Sequence, residues 1–275
     1  MWNIQGKIIF ITGGASGIGL QAAREFAARG AHVVIFNRKA QAARDAIAEI
    51  ERERIDAGQR ICSYLLDVAE RDQVGRGFAQ AAQEVGAPDI VINMAAIGNV
   101  AAMPDMTYED FDHTIKVNVY GTRNVVEAAL KVMRRPGTIV LAGSLGGFIP
   151  VYGYTGYGTS KFAVVGFSQC LRYELKPLGI DVSCFCPGEV ATPGLAGEYA
   201  NTHPATVAMK AIGSTISCEA AVRGLIAGIA ARKFLIMPGW QNKLLYWMTR
   251  LTPLPIWNFI TDAIVGFALR RKPRL

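Results

Sequence analysis

A doubly wound α/β fold, with a parallel sheet covered by helices on both faces, is predicted for this 275-residue chain by three observations. A glycine cluster joins an apolar, β-rich run to a helical pattern close to the N-terminus. Strand-like and helix-like segments then alternate to about residue 239. The strand segments 33–36 and 138–141 are apolar apart from Thr138, which suits burial on both sides of a sheet.

The elements follow in order. Lys7-Ile8-Ile9-Phe10-Ile11-Thr12 reads as the first strand and enters Gly13-Gly14-Ala15-Ser16-Gly17-Ile18-Gly19. Leu20, Ala23, Phe26 and Ala27 recur at helical spacing, Gly30 stops that helix, and 31–36 is the second strand. Glycine lets the backbone approach a ligand closely. The helix start then offers free N–H groups and the positive end of its dipole to a pyrophosphate. A tight turn without a ligand is the competing reading, and the strand–turn–helix context favours a dinucleotide. Further strands are expected at 61–66, 90–93, 138–142, 181–186 and 234–237, with helices beginning near Ala40, Glu70, Thr107, Tyr157 and Cys218. Thr107 has the character of an N-cap, with Glu109 and Asp110 in the first turn as the dipole favours.

The end of the second strand addresses the adenosine ribose. An acidic residue there bonds the 2′-hydroxyl and favours NAD. This chain has Asn37-Arg38-Lys39. A guanidinium suits a 2′-phosphate, so NADP(H) is expected; a solvated helix start is the alternative use of these cations.

Tyr157 and Lys161 stand four residues apart in Tyr157-Gly158-Thr159-Ser160-Lys161 and so share a helix face. A free tyrosine, with a pKa of about 10, is a poor acid–base catalyst at neutral pH. A neighbouring ammonium favours the phenolate and lowers that value. The pair therefore suits proton exchange with a carbonyl or alcohol oxygen.

Together these residues resemble the short-chain dehydrogenase/reductase family, from about residue 6 to about residue 239. The glycine motif is Thr12-Gly13-Gly14-Ala15-Ser16-Gly17-Ile18-Gly19. The resemblance implies a Rossmann-type fold and cofactor contacts from Gly13, Ser16, Gly17, Ile18, Gly19, Asn37 and Arg38. It implies adenine contacts from Asp67 and Val68, and further cofactor contacts from Asn93 and Ala95. Asn93-Met94-Ala95-Ala96 stands where the family has Asn-Asn-Ala-Gly, so Met94 and Ala96 are departures that bear on local backbone packing. Asn118 matches the family's helix asparagine, which holds a water linking Lys161 to solvent. Ser144 matches the catalytic serine that positions the substrate oxygen. Tyr157 matches the proton-exchanging tyrosine, and Lys161 the lysine that lowers its pKa and reaches the nicotinamide ribose. Pro187, Gly188, Val190 and Thr192 match the loop over the nicotinamide. Relatives of this kind are commonly homodimers or homotetramers, paired through the helices around 107–134 and 157–178.

Composition limits the remaining classes. The net charge of +7 is not gathered on a recognisable nucleic-acid motif. Five cysteines, at 62, 170, 184, 186 and 218, form no Cys-x-x-Cys pattern, and Cys184 and Cys186 share one face of a strand, as core packing requires. A reducing, cytoplasmic compartment is expected; the first strand starts almost at once, leaving no signal peptide. His32, His113 and His203 are scattered, so no metal site is expected, and His113 is expected at the surface.

Two stretches bear on the substrate. Residues 189–217 are small, apolar and glycine-rich, as a mobile lid over an apolar substrate would be. The run Thr192-Pro193-Gly194-Leu195 with Glu198, and Tyr173-Glu174-Leu175-Lys176-Pro177 before it, are similar to 3-ketosphinganine reductases. Residues 240–275 form an extension to the catalytic unit 1–239. They carry six cations and one acid, so they hold +5 of the net charge, and Arg250, Pro253, Pro255 and Asp262 interrupt any apolar span of about 20 residues. Two aromatic-rich helices lying in a membrane interface fit this pattern; covering the active-site mouth or a dimer face is the other reading. The expected activity is NADPH-dependent reduction of a ketone on an apolar, lipid-like substrate such as a 3-ketosphinganine or 3-oxoacyl chain, with the alcohol as the reverse substrate. A steroid or other hydrophobic-alcohol dehydrogenase is the runner-up, and a non-catalytic dinucleotide-binding regulatory module the rival from another class.

Overall fold

The computed structural model of the protein describes residues 2–192, 195 and 202–270. Strands β1 (Ile8–Thr12), β2 (His32–Asn37), β3 (Ile61–Leu65), β4 (Ile90–Asn93), β5 (Gly137–Ala142) and β6 (Ile180–Phe185) are followed late in the chain by β9 (Leu235–Ile236). These seven form one sheet in the order β3-β2-β1-β4-β5-β6-β9. Every pairing in it is parallel.

The strand sequences explain the layers. Successive side chains alternate faces. Ile9 and Ile11 of β1, with Val33 and Ile35 of β2, join one core with helices α1 (Gly17–Ala27), α2 (Ala40–Glu51) and α8 (Cys218–Ala230). Ile8 and Phe10, with Val34 and Phe36, join the other, against α3 (Arg71–Glu84), α5 (Gly121–Val132) and α6 (Thr155–Leu175). Both faces are buried, which is why these strands lack a polar side.

Strand order reverses between β1 and β4, opening a crevice at the carboxyl ends of the strands, where ligands of such sheets bind. Helix α4 (Tyr108–Ile115) starts at Thr107, whose hydroxyl accepts from the Asp110 N–H at 3.0 Å, as its sequence foretells. A π-turn at Lys116–Tyr120 joins α4 to α5. Such an insertion rotates the following helix and often marks a functional site; this one carries Asn118.

The predicted strands and helices are all present, with ends that coincide or differ by up to three residues. What the sequence pattern did not show lies in the presumed lid. Helix α7 (Pro204–Lys210) and a small parallel pair, β7 (Glu189–Ala191) with β8 (Thr215–Ser217), occupy it. Of the two runs that resemble 3-ketosphinganine reductases, Tyr173-Glu174-Leu175-Lys176-Pro177 closes α6 and the turn after it, and the run from Thr192 to Glu198 lies outside the described residues apart from Thr192 and Leu195.

The C-terminal stretch folds as two helices, α9 (Trp240–Leu251) and α10 (Leu254–Arg270), broken at Thr252-Pro253. Helix α10 packs on α7, and Leu245 and Trp257 join a third apolar cluster with Ile149 and Val165. The inner side of this hairpin therefore covers the lid helix. No helix among the described residues is long and apolar enough to cross a membrane.

Candidate active site

A cleft of about 840 Å³ runs across the carboxyl ends of the strands. At one end stands the glycine turn. Gly13 takes φ +67°, and a Cβ there would lie 2.8 Å from the Ala95 nitrogen. A Cβ on Gly19 would lie 2.2 Å from the Gly13 carbonyl oxygen. Any larger residue would push the turn apart. Ser16 precedes α1 with its side chain not engaged in capping, and the first turn carries no acid. The arrangement fits a phosphate-bearing dinucleotide, because the helix start is sterically open and electrostatically positive.

The turn is held from behind by a buried polar chain. Thr12 Oγ1 donates to Asn93 Oδ1 (2.6 Å) and accepts from the Ala95 N–H (3.3 Å). Asn93 Nδ2 donates to Thr122 Oγ1 (2.9 Å), which donates to the Asn118 carbonyl (2.6 Å). Asn118 Nδ2 donates to Ile97 O and to Ser160 Oγ, both at 2.9 Å, while its Oδ1 accepts from the Ile97 N–H (2.8 Å). Ser160 Oγ in turn donates to the Tyr157 carbonyl (2.7 Å). The chain therefore ties the glycine turn to the helix that carries Tyr157. No described buried side-chain nitrogen or oxygen lacks a partner, which makes such a network rigid rather than costly.

Of the residues singled out from sequence, all but two line the cleft: Gly13, Ser16, Gly17, Ile18, Gly19, Asn37, Arg38, Asp67, Val68, Ala95, Ser144, Tyr157, Lys161, Pro187, Gly188, Val190 and Thr192. Asn93 and Asn118 sit one layer behind, in the buried network. At the end of the cleft beside β2, Asn37 Oδ1 accepts from the Arg38 N–H, and the Arg38 guanidinium pairs with Asp67 at 3.3 Å. His113 is exposed.

Three side chains meet at the centre. Ser144 follows β5, and its hydroxyl accepts from the Gly146 N–H at 3.0 Å. A Cβ built on Gly146 would lie 3.4 Å from Ser144 Oγ and 3.7 Å from Tyr157 Cε1, so both groups border one small space. Tyr157 packs edge-on against Tyr154 with ring centroids 5.1 Å apart. Lys161 Nζ lies 5.5 Å from the Tyr157 ring centroid and donates to the Ala142 carbonyl at 2.9 Å. Burial pulls the Lys161 ammonium down to about 8, partly offset by the Cys184 and Cys186 thiols beside it. Those cysteines lie behind the strand, sulfur to sulfur at 3.4 Å and fully buried, as core residues.

This geometry has counterparts. The family model described as short chain dehydrogenase matches residues 7–202. The chain belongs to the short-chain dehydrogenase family. Among curated relatives, the oxidoreductase UcpA of Salmonella typhimurium is 35% identical over 196 residues, 70% of this chain and 73% of that protein. The 3-ketodihydrosphingosine reductase of Bos taurus is 31% identical over 198 residues, covering 71% and 60%. The probable oxidoreductase EphD of Mycobacterium tuberculosis is 35% identical over 188 residues; the match takes in 67% of this chain and 31% of EphD, so the chain spans about a third of that relative. A short chain dehydrogenase from Burkholderia cenocepacia, solved in complex with NADP, superposes with TM-score 0.74 at 30% identity, over 86% of this chain and 96% of that one.

The end of the cleft beyond Tyr157 contains residues that sequence reasoning missed. Val100, Ile149, Val151, Met209 and Leu245 make it apolar. Within it Lys210 of α7 pairs with Glu189 of β7 at 3.3 Å, both side chains largely buried, and Glu189 also accepts from the Thr215 hydroxyl. Asn242 of α9 also reaches the cleft. Neither position carries a local motif; the lid and hairpin bring them in through tertiary packing.

Proposed function

We propose that the protein is an NADP(H)-dependent oxidoreductase that reduces a ketone, or oxidises the corresponding alcohol, on an apolar, lipid-like substrate. The observation that carries this reading is the convergence of Ser144, Tyr157 and Lys161 on one small space at the mouth of a dinucleotide cleft. The nicotinamide cofactor supplies or accepts the hydride when bound. The chain's own residues handle the proton. Ser144 Oγ–H donates a hydrogen bond to the substrate oxygen and fixes its direction. Tyr157 delivers its phenolic proton to that oxygen in reduction and takes it back in oxidation. Lys161, one turn along α6, favours the phenolate by its charge and offers a donor to the nicotinamide ribose. Asn118 holds the π-turn beside them and, through Ser160, the backbone of Tyr157. Residues 1–239 form the catalytic unit and 240–275 an extension, of which the helix Leu254–Arg270 packs on α7.

The apolar walls at the substrate end and the similarity to a 3-ketodihydrosphingosine reductase favour a long-chain ketone. NADPH oxidation over a panel of a 3-ketosphinganine, 3-oxoacyl chains of increasing length, a steroid ketone and a short ketone tests this. The expected outcome is a kcat/KM that climbs with chain length by roughly fourfold per methylene, or about fifteenfold per two, in line with about 0.8 kcal/mol per buried methylene. A steroid preference, or no length dependence, rejects the lipid-chain substrate.

Arg38 supports the choice of NADPH, because it stands where an acid would select the ribose 2′-hydroxyl. Arg38→Ala is expected to weaken NADPH binding about tenfold or more, equivalent to about 1.4 kcal/mol, and to change NADH binding little. Parallel nicotinamide-fluorescence titrations check this; equal losses for both nucleotides reject the assignment.

The outer face of the hairpin supports contact with a lipid surface. Trp240, Trp247, Leu251, Leu254 and Phe259 are exposed there, with Lys243, Arg250 and Arg270 among them. Aromatic, apolar and basic groups together suit an anionic headgroup region. The protein is expected to sediment with anionic phosphatidylserine-containing vesicles. The double variant Trp247→Glu, Leu251→Glu is expected to stay in the supernatant while turning over a short soluble ketone normally. Vesicle binding that survives both changes, or no binding by the intact protein, rejects the membrane role.

A further inference from the structure

The C-terminal hairpin does more than cover the lid. Asn242, on the first turn of α9, is fully buried. Its Oδ1 accepts from the Ser214 N–H and hydroxyl, both at 3.3 Å, and its Nδ2 donates to the Pro238 carbonyl at 3.4 Å. These bonds are long for an amide, so they do not by themselves explain a buried asparagine here. It also packs closely against Gly188. A Cβ added to Gly188 would lie 2.6 Å from each of Cγ, Nδ2 and Oδ1 of Asn242. The amide therefore lies flat against the Gly188 Cα, with only a hydrogen's depth between them. From the opposite side the same turn is tied to the catalytic loop, where the Leu145 N–H donates to the Pro187 carbonyl at 2.9 Å. The Pro187–Gly188 turn is thus gripped between the residue after Ser144 and a side chain from the hairpin.

We propose that Asn242 is a positioning residue that sets the Pro187–Gly188 turn for the nicotinamide end of the cofactor, so that the hairpin completes the active site. It touches neither reacting atoms nor, in this role, the substrate. Its effect comes through the height of the turn above the cleft, where a displacement of about 1 Å is enough to cost roughly a hundredfold in rate. The proposal rests on the cofactor part of the reading above and is independent of the substrate.

Gly188→Ala, Asn242→Ala and the double variant test it, read first by NADPH fluorescence titration and melting temperature, then by kcat and KM separately. Gly188→Ala forces its methyl into the Asn242 amide and is expected to weaken NADPH binding by roughly tenfold or more. Asn242→Ala frees the turn and is expected to weaken NADPH binding by about threefold to tenfold and to lower kcat with little change in the ketone KM. In the double variant the new methyl occupies the vacated space, so NADPH binding is expected to recover to within about threefold of wild type. Recovery of that kind is the mark of a steric relay and would not follow from general destabilisation. The proposal is overturned if the double variant binds NADPH no better than Gly188→Ala. It is equally overturned if Asn242→Ala, which keeps the backbone intact should Gly188→Ala fail to fold, leaves both NADPH affinity and kcat at wild-type values. Wild-type protein that does not bind NADPH at all would instead count against the cofactor reading.

Discussion

Replacing Tyr157 with Phe is expected to cut turnover by about 10²–10⁴-fold while NADPH affinity stays within about twofold of wild type. The split follows from where the phenol stands. The ring packs edge-on against Tyr154 and keeps that contact as Phe, so the fold around it is undisturbed. The backbone carbonyl that accepts from Ser160 is also unchanged. What disappears is the phenolic proton that Tyr157 presents beside Ser144 at the space next to Gly146. Ser144 cannot take over, because a serine hydroxyl is far too weak an acid to give up its proton at neutral pH. Single-turnover oxidation of NADPH with a saturating ketone, beside a fluorescence titration of the same protein, reads both quantities. A variant with near-normal turnover rejects the proton-donor role of Tyr157.

Lys161→Met is expected to abolish activity and, in the cofactor-free protein, to raise stability by on the order of 1–2 kcal/mol at pH 7. The lysine is buried, and its ammonium titrates at about 8 in the fold against 10.5 when free. Between those values the unfolded chain holds more protons than the folded one, so stability rises with pH across that window. Below pH 8 both states are charged and the full cost of the buried charge is present. Methionine keeps the stem and the volume but removes the charge, so both the cost and its pH dependence go. The lost donor to the Ala142 carbonyl offsets part of the gain. Denaturant melts of wild type and variant from pH 6.5 to 10 check this. Wild-type stability is expected to climb above pH 8 relative to that of the Met variant, since the other groups titrating there are common to both. A variant that is less stable at pH 7 rejects the burial argument. Such a trade, stability given up for a charge held at the reacting centre, is common at active sites.

Much of this was legible in the sequence because its signals are local. The glycine turn, the doubly apolar strands and the Tyr157–Lys161 spacing each fit within a few residues, and their physical consequences do not depend on distant packing. Asn93 and Asn118 show the first limit. Their positions along the chain mark them, but only the folded network shows that they brace the glycine turn and the Tyr157 helix from behind. The lid shows the second. Helix α7 has a start signal in His203-Pro204, with the His203 ring accepting from the Ala205 N–H and proline in the first turn. Seven residues are too few for its periodicity to stand out, and β7 and β8 have three residues each. The hairpin shows the third. Its two helices and the break near Pro253 were readable. Asn242 lies 54 residues beyond Gly188, and nothing in either segment foretells that the two would meet, because the packing of α9 against the lid creates the contact.

The central claim is that one substrate oxygen is held jointly by Tyr157 and Ser144 in front of the nicotinamide. A crystal structure of the ternary complex with NADP and an unreactive long-chain ketone analogue tests it most directly. The analogue's oxygen is expected at about 2.6–3.2 Å from both Tyr157 Oη and Ser144 Oγ, with its chain along Val151, Met209 and Leu245. An oxygen bound out of reach of Tyr157, or a chain lying outside that apolar end, would contradict it.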